Sequence, residues 1–145
     1  MKTSYRYFLL LLFSCLSLVQ LYGQTDAKRD KIDALRTAFI NNRVDFTSKE
    51  SQDFWPLYNE MNDKLNAVRK TFRQKYNAQT NYNFQTDKEA EEYLAAELTL
   101  RQKEYELYKD YYEKFKKVLP VKKVAAIRRA EEGFKREIIN SIKEN

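Results

Sequence analysis

Apolar residues recur at steps of three and four along most of the chain, which is the period of an amphipathic helix. The pattern predicts four helices, at about 26–42, 47–76, 86–118 and 120–142. In the second helix the apolar positions form a narrow seam, typical of antiparallel helix packing. The seam consists of Phe54, Tyr58, Met61, Leu65, Val68, Phe72 and Tyr76. Because no segment has the alternating pattern of a strand, we expect an all-α fold.

Two of the predicted helices begin with the same local motif. The Thr47 hydroxyl can accept from the Glu50 amide while the Glu50 carboxylate bonds back to the Thr47 amide, which is a capping box. Thr86 and Glu89 repeat this spacing before the third helix. Pro120 suits the first turn of the fourth helix, because that position needs no amide hydrogen.

The third predicted helix carries two apolar stripes, about 100° apart around its axis. The first stripe consists of Ala90, Leu94, Leu98, Tyr105, Tyr108, Tyr112 and Phe115. The second includes Tyr93, Leu100, Leu107 and Tyr111. We expect the first stripe, with Leu98, to join the core, and the second to stay uncovered within one chain. Since monomers seldom expose large apolar strips, the second stripe is the candidate dimer interface. The alternative is that the first helix folds over it.

The first 23 residues have the layout of a secretory signal peptide. A basic start is followed by an apolar run that is too short for a membrane helix and ends near Gly23. We therefore expect cleavage after Gly23, a single α-helical domain at 24–145, and location in the periplasm. The competing interpretation is a lipoprotein box ending at Cys15, although the apolar run continues past that cysteine.

The composition makes most kinds of catalytic site improbable. The chain contains no histidine, and its one cysteine, Cys15, lies in the leader. Zinc and copper therefore lack their usual ligands, and there is no glycine-rich loop to bind a phosphate. Removing Lys2 and Arg6 with the leader lowers the net charge from +6 to +4. We expect no enzyme activity, no cofactor, no metal and no nucleic-acid partner.

Trp55 is the aromatic residue that lies off the seam of its helix. Arg69 and Arg73 fall on the same side of that helix at helical spacing. Trp55 either packs against the first helix or lies in a partly exposed groove, and the three residues are the candidate surface for a client or partner. Basic pairs also cluster near the turn before the fourth helix, at 116–117, 122–123 and 128–129. This cluster is either a patch for acidic partners or anionic lipid, or a solvated face with cations favoured at the C-terminus of the third helix.

Several short motifs resemble those of the LTxxQ-type Spy/CpxP-like periplasmic proteins. Residues 44–50 (VDFTSKE) and 54–59 (FWPLYN) resemble the first helix start of that family, and 118–123 (VLPVKK) stands where its second motif would be. Residues 32–40 (IDALRTAFI) are similar to the branch often labelled "sensor of ECF-type sigma factor". The resemblance implies a long hooked antiparallel hairpin of four helices that pairs into a cradle-shaped homodimer.

The family roles that the resemblance implies are chaperoning without ATP, damping of an envelope-stress sensor, and metal sensing. Metal sensing depends on histidine, which is absent. The motifs also depart from the pattern, with Phe46 for Leu, Glu50 for Gln, Pro120 for Thr and Lys123 for Gln. We therefore expect a non-enzymatic protein that binds unfolded or partly folded clients on a basic, aromatic-rimmed surface. The alternative is a signalling partner of a membrane-bound stress regulator or sigma-factor system.

Overall fold

The computed structural model describes residues 30–76 and 83–143 of the chain. Helix α1 runs through residues 30–41, starting at the first described position. Helices α2 (Ser48–Tyr76), α3 (Asp87–Val118) and α4 (Val121–Lys143) follow. No strand occurs in these two described ranges, so the prediction of an all-α fold is confirmed. The expected signal peptide at 1–23, its cleavage at Gly23 and the lipidation site at Cys15 lie outside the described residues.

The start of α2 has both hydrogen bonds of the predicted capping box. The Glu50 amide donates to the Thr47 hydroxyl at 3.2 Å, and the Thr47 amide donates to the Glu50 carboxylate at 2.7 Å. Thr86 similarly accepts from the Glu89 amide at 3.2 Å, while the Glu89 carboxylate accepts from the Gln85 amide at 2.9 Å. The start of α3 is therefore capped by Thr86 as predicted. The Glu89 carboxylate, however, accepts from the amide of Gln85 and not from that of Thr86.

The turn from α3 to α4 is short and partly buried. Leu119 is extended, its amide donates to the Phe115 carbonyl at 2.8 Å, and its side chain is buried. The carbonyl of Pro120 accepts from the amides of Lys123 and Val124 at 2.9 and 3.2 Å. Pro120 thus directly precedes α4 and caps it, because proline can start a helix but cannot continue one from the preceding turn.

Residues 45–128 form one compact unit, in which α2 and α3 pack side by side. Phe54 near the start of α2 contacts Phe115 near the end of α3, with ring centroids 5.0 Å apart. Tyr76 at the end of α2 contacts Tyr93 near the start of α3, at 5.3 Å. The two helices therefore run in opposite directions. The buried residues of this unit are Phe54, Tyr58, Met61, Leu65, Tyr111, Phe115, Leu119, Val124 and Ile127.

The other compact unit contains the described residues 30–44 and 129–143. Phe39 of α1 meets Phe134 of α4 edge to face, with centroids 5.5 Å apart. Ile40 and Val44 are also buried. Ile32 and Leu35, which share the apolar side of α1 with Phe39, are 41% and 48% exposed. Among residues 30–76 and 83–143, the predicted apolar side of α1 is thus buried only at its C-terminal end.

Candidate interaction surface

The second stripe of α3, the candidate dimer interface, faces α2 within the same chain. Tyr111 is fully buried, and Leu100 and Leu107 are half-buried. The Tyr93 ring contacts Phe72 and Tyr76 of α2 with centroids 5.7 and 5.3 Å away. The expectation that this stripe is uncovered was therefore wrong, and the helix that covers it is α2. These side chains pack against the narrow seam of α2 and complete the core between α2 and α3.

The uncovered surface of α3 is instead the N-terminal part of its first stripe. Leu94, Leu98 and Tyr105 are 56%, 71% and 61% exposed. At about 100° per residue these three positions fall within an arc of about 40°, so they form one strip along the helix. Further along the stripe Phe115 is buried. The expectation that Leu98 belongs to the core was wrong, because the neighbour needed to cover it is absent from the described residues.

Trp55 lies in an aromatic cluster at the start of α2. Its ring centroid is 5.1 Å from Phe54, 5.3 Å from Tyr58 and 6.1 Å from Phe46. Phe46 belongs to the connection before α2, so this connection, and not helix α1, supplies that ring. Trp55 remains half-buried.

The two arginines of the candidate surface differ in their surroundings. The Arg69 Nε donates to the Glu104 carboxylate of α3 at 2.5 Å. Burial lowers the pKa of Arg69, but the bonds to Glu104 and the Tyr108 hydroxyl raise it by more, so the net direction is upward. Arg73, one turn further along, is exposed. Arg69 thus fixes α2 to α3, whereas Arg73 is accessible.

Trp55, Arg69 and Arg73 lie on the same side of the α2–α3 pair as the exposed strip. Around the axis of α2, the three residues are rotated by about 80° from the seam. Around the axis of α3, the strip is rotated by about 120°, in the same sense along the chain, from the stripe that faces α2. Because the helices run in opposite directions, offsets of the same sense point to one side. We call this side the aromatic face. It comprises Trp55, Arg69, Arg73, Leu94, Leu98, Arg101 and Tyr105.

The aromatic face is an extended surface and not a pocket. Trp55 and Arg69 are fourteen residues apart along α2, which corresponds to roughly 21 Å. Arg101 lies between Leu98 and Tyr105, where it pairs with Glu97 at 3.1 Å and approaches Glu104 at 3.9 Å. Its charge is therefore balanced at the centre of the strip. A surface of this kind can contact a chain segment through apolar side chains flanked by cations.

The opposite side of the α2–α3 pair has a shallow groove of about 470 Å³. Lysine, glutamate and aliphatic side chains line it. The lining residues are Lys64, Ala67, Val68, Lys103, Glu106 and Leu107. Lys64 is paired with Glu60 at 2.8 Å, so one of the two lysines is already engaged.

The basic cluster near the turn into α4 is partly neutralised. Lys123 bonds the Glu50 carboxylate at 2.7 Å and also donates to the Asp45 carbonyl. The Arg128 guanidinium lies 5.5 Å from the centre of the Tyr108 ring. These cations hold the start of α2 and the side of α3, which favours a structural role for them.

Other kinds of site are not found in the described part of the chain. Within residues 30–76 and 83–143, no group of three or more acidic, histidine or cysteine side chains could hold a metal ion. None of the helices described there is both long enough and apolar enough to span a membrane.

Comparison with known proteins gives no match. No family model matches the chain, and no curated protein and no solved structure is significantly similar to it. The resemblance to Spy/CpxP-like proteins therefore rests on the sequence motifs alone.

The sequence pattern did not reveal which stripe of α3 would be exposed. Arg101 was the available clue, because a charged residue in the middle of the first stripe is costly to bury against a partner helix. Glu97 and Glu104, four residues before it and three after it, supply the ion pairs that suit an exposed position.

Proposed function

We propose that this protein is a non-enzymatic, chaperone-like binding protein of the periplasm that holds exposed segments of unfolded clients on its aromatic face. The observation that carries the proposal is the strip of Leu94, Leu98 and Tyr105, each more than half exposed. Contiguous exposed apolar side chains on a soluble helix are typical of interaction sites.

The dimensions and chemistry of the strip suit a short stretch of extended polypeptide. From residue 94 to residue 105 the helix rises roughly 16 Å, which equals about five residues of an extended chain. Tyrosine and leucine bury apolar area without requiring a particular sequence, while the exposed Arg73 attracts acidic segments. Binding through such groups is broad in specificity and reversible.

Location and assembly are parts of the same proposal. The basic and apolar leader supports export, and the short helix-start motifs support a hooked hairpin that pairs into a homodimer. The pairing surface is not the second stripe of α3, because α2 covers it. We assign the aromatic face to clients and expect the dimer to form elsewhere.

Trp55 offers a direct test, because it is the only tryptophan in the chain and lies on the aromatic face. Titration with a permanently unfolded polypeptide that lacks tryptophan should change the Trp55 emission in a saturable way. The double variant Leu98→Glu/Tyr105→Glu should bind about tenfold more weakly, because two apolar contacts are replaced by charges.

Ile142→Glu is the matched control, because Ile142 is also 71% exposed and lies outside the aromatic face. It should bind like the wild type, and circular dichroism should show equal helicity for all variants. Light scattering on the same samples tests the assignment of surfaces. Equal binding by the double variant, or its conversion of a dimer into a monomer, would contradict client binding at this strip.

A further inference from the structure

A second cavity lies in the unit formed by residues 30–44 and 129–143, away from the aromatic face in sequence. It is a groove of about 550 Å³ between α1 and the C-terminal part of α4. Two arginines, a glutamate, an amide and a hydroxyl line it together with one aromatic ring. The lining residues are Phe39, Arg43, Gly133, Arg136, Glu137, Asn140 and Ser141.

Arg43 is held in place by the ring at the base of the groove. Its guanidinium carbon lies 3.3 Å from the centre of the Phe39 ring, and its Nη1 donates to the Phe39 carbonyl at 3.3 Å. The Arg43 Nη2 is 4.0 Å from the Glu137 carboxylate, which is too far for a hydrogen bond. A stacked guanidinium loses little freedom on binding, and its remaining N–H groups are available to an acceptor.

Gly133 lies between the Phe39 ring and the second arginine. A Cβ atom at this position would lie 3.4 Å from the Phe39 ring and 4.0 Å from the Nη2 of Arg136. The Arg136 guanidinium therefore lies beside Gly133 and lines the same groove as Phe39. Arg43 from the turn after α1 and Arg136 from α4 thus line one cavity.

We propose that this groove binds a phosphate group carried by a larger molecule. A carboxylate has two oxygens and is satisfied by one guanidinium fork, whereas two forks from separate segments suit the tetrahedral oxygens of a phosphate, and their charge exceeds that of Glu137 in the lining. The Asn140 amide lines the same groove and adds a neutral donor. The cavity is far larger than one phosphate, so the rest of the ligand occupies the remaining volume.

The phosphate can belong to a soluble compound or to a lipid headgroup, and two titrations distinguish these sources. The first follows backbone amide shifts in the full-length protein on addition of glycerol 3-phosphate. The second measures co-sedimentation with vesicles of phosphatidylglycerol, with phosphatidylcholine vesicles as the neutral comparison. The variants are Arg43→Gln and Arg136→Gln, and Lys135→Gln removes the same charge from an exposed residue outside the groove.

A saturable response in either titration should be at least about tenfold weaker in both arginine variants and unchanged in Lys135→Gln. Response to glycerol 3-phosphate identifies a soluble ligand, and response to the anionic vesicles alone identifies a lipid. Because Arg43→Gln also removes the contact with Phe39, Arg136→Gln decides the result if circular dichroism shows that the first variant is misfolded. Absence of binding in both titrations, equal binding by Arg136→Gln, or an equal response to acetate at matched ionic strength would overturn the proposal.

Discussion

Glu50 takes part in several interactions at once, and it shows how a single residue can connect local and tertiary structure. Its carboxylate accepts from the Thr47 amide and from the Lys123 side chain, both at 2.7 Å. Lys123 also donates to the Asp45 carbonyl. The first bond caps α2, the second joins the start of α4 to the first turn of α2, and the third joins it to the connection before α2. The capping box was predictable because it depends on neighbours in sequence, whereas Lys123 is 73 residues away.

This arrangement predicts a specific pH dependence of stability. The hydrogen bond from Lys123, followed by that from Thr47, lowers the pKa of Glu50 below its ordinary value of 4.5. A carboxylate with a lowered pKa stabilises the fold above its unfolded-state pKa, and this contribution is lost as the pH falls through the folded-state pKa. Glu50→Gln should therefore lower Tm at pH 7, and its difference from the wild type should shrink below about pH 4.5.

Thermal melts between pH 7 and pH 3 measure this difference. Glu91→Gln, at an exposed glutamate of α3, is the control for loss of one surface charge. A difference between Glu50→Gln and the wild type that stays constant down to pH 3 would show that the Glu50 charge contributes nothing.

At the scale of elements, the helices and their starts could be predicted, but the side that α3 turns to its partner could not. Periodicity gives both apolar stripes of α3, and capping chemistry gives its first residue. The choice between stripes depends on how the seam of α2 fits Tyr93 and Tyr111, which is a tertiary effect. The same limit applies to Trp55, since its partner Phe46 lies in a connection without periodicity.

The seam of α2 is buried, whereas the strip of α3 is exposed. A leucine of the seam and a leucine of the strip should therefore contribute differently to the free energy of unfolding. Leu65 of α2 is 1% exposed and Leu98 of α3 is 71% exposed. Leu65→Ala should lower the free energy of unfolding by about 2–5 kcal/mol, because it leaves a cavity in the core. Leu98→Ala should change it by no more than about 0.5 kcal/mol, as for most surface substitutions.

Urea denaturation followed by circular dichroism measures both values. Each variant serves as the control for the other, because the chemical change is the same. A large loss of stability in Leu98→Ala would mean that this side of α3 is covered in the folded protein, by another part of the chain or by a second copy.

At the scale of the whole molecule, the described residues present an extended surface and a groove. The pair of α2 and α3 presents an apolar strip flanked by arginines, and the unit of residues 30–44 and 129–143 presents a basic groove. The sequence predicted the helical character of the chain and gave Trp55, Arg69 and Arg73 as a candidate surface, of which Arg73 is exposed and Trp55 half-buried. It missed the exposed strip and the groove, since both result from the positions of helices distant in sequence.

Suppression of client aggregation tests the central claim most directly. Light scattering would be followed as a chemically denatured client is diluted into buffer with the mature protein, without ATP. Wild type and Ile142→Glu should suppress aggregation equally, and Leu98→Glu/Tyr105→Glu should require about tenfold more protein for the same effect. Equal suppression by the double variant, or no suppression by the wild type at any ratio, would contradict client binding on the aromatic face.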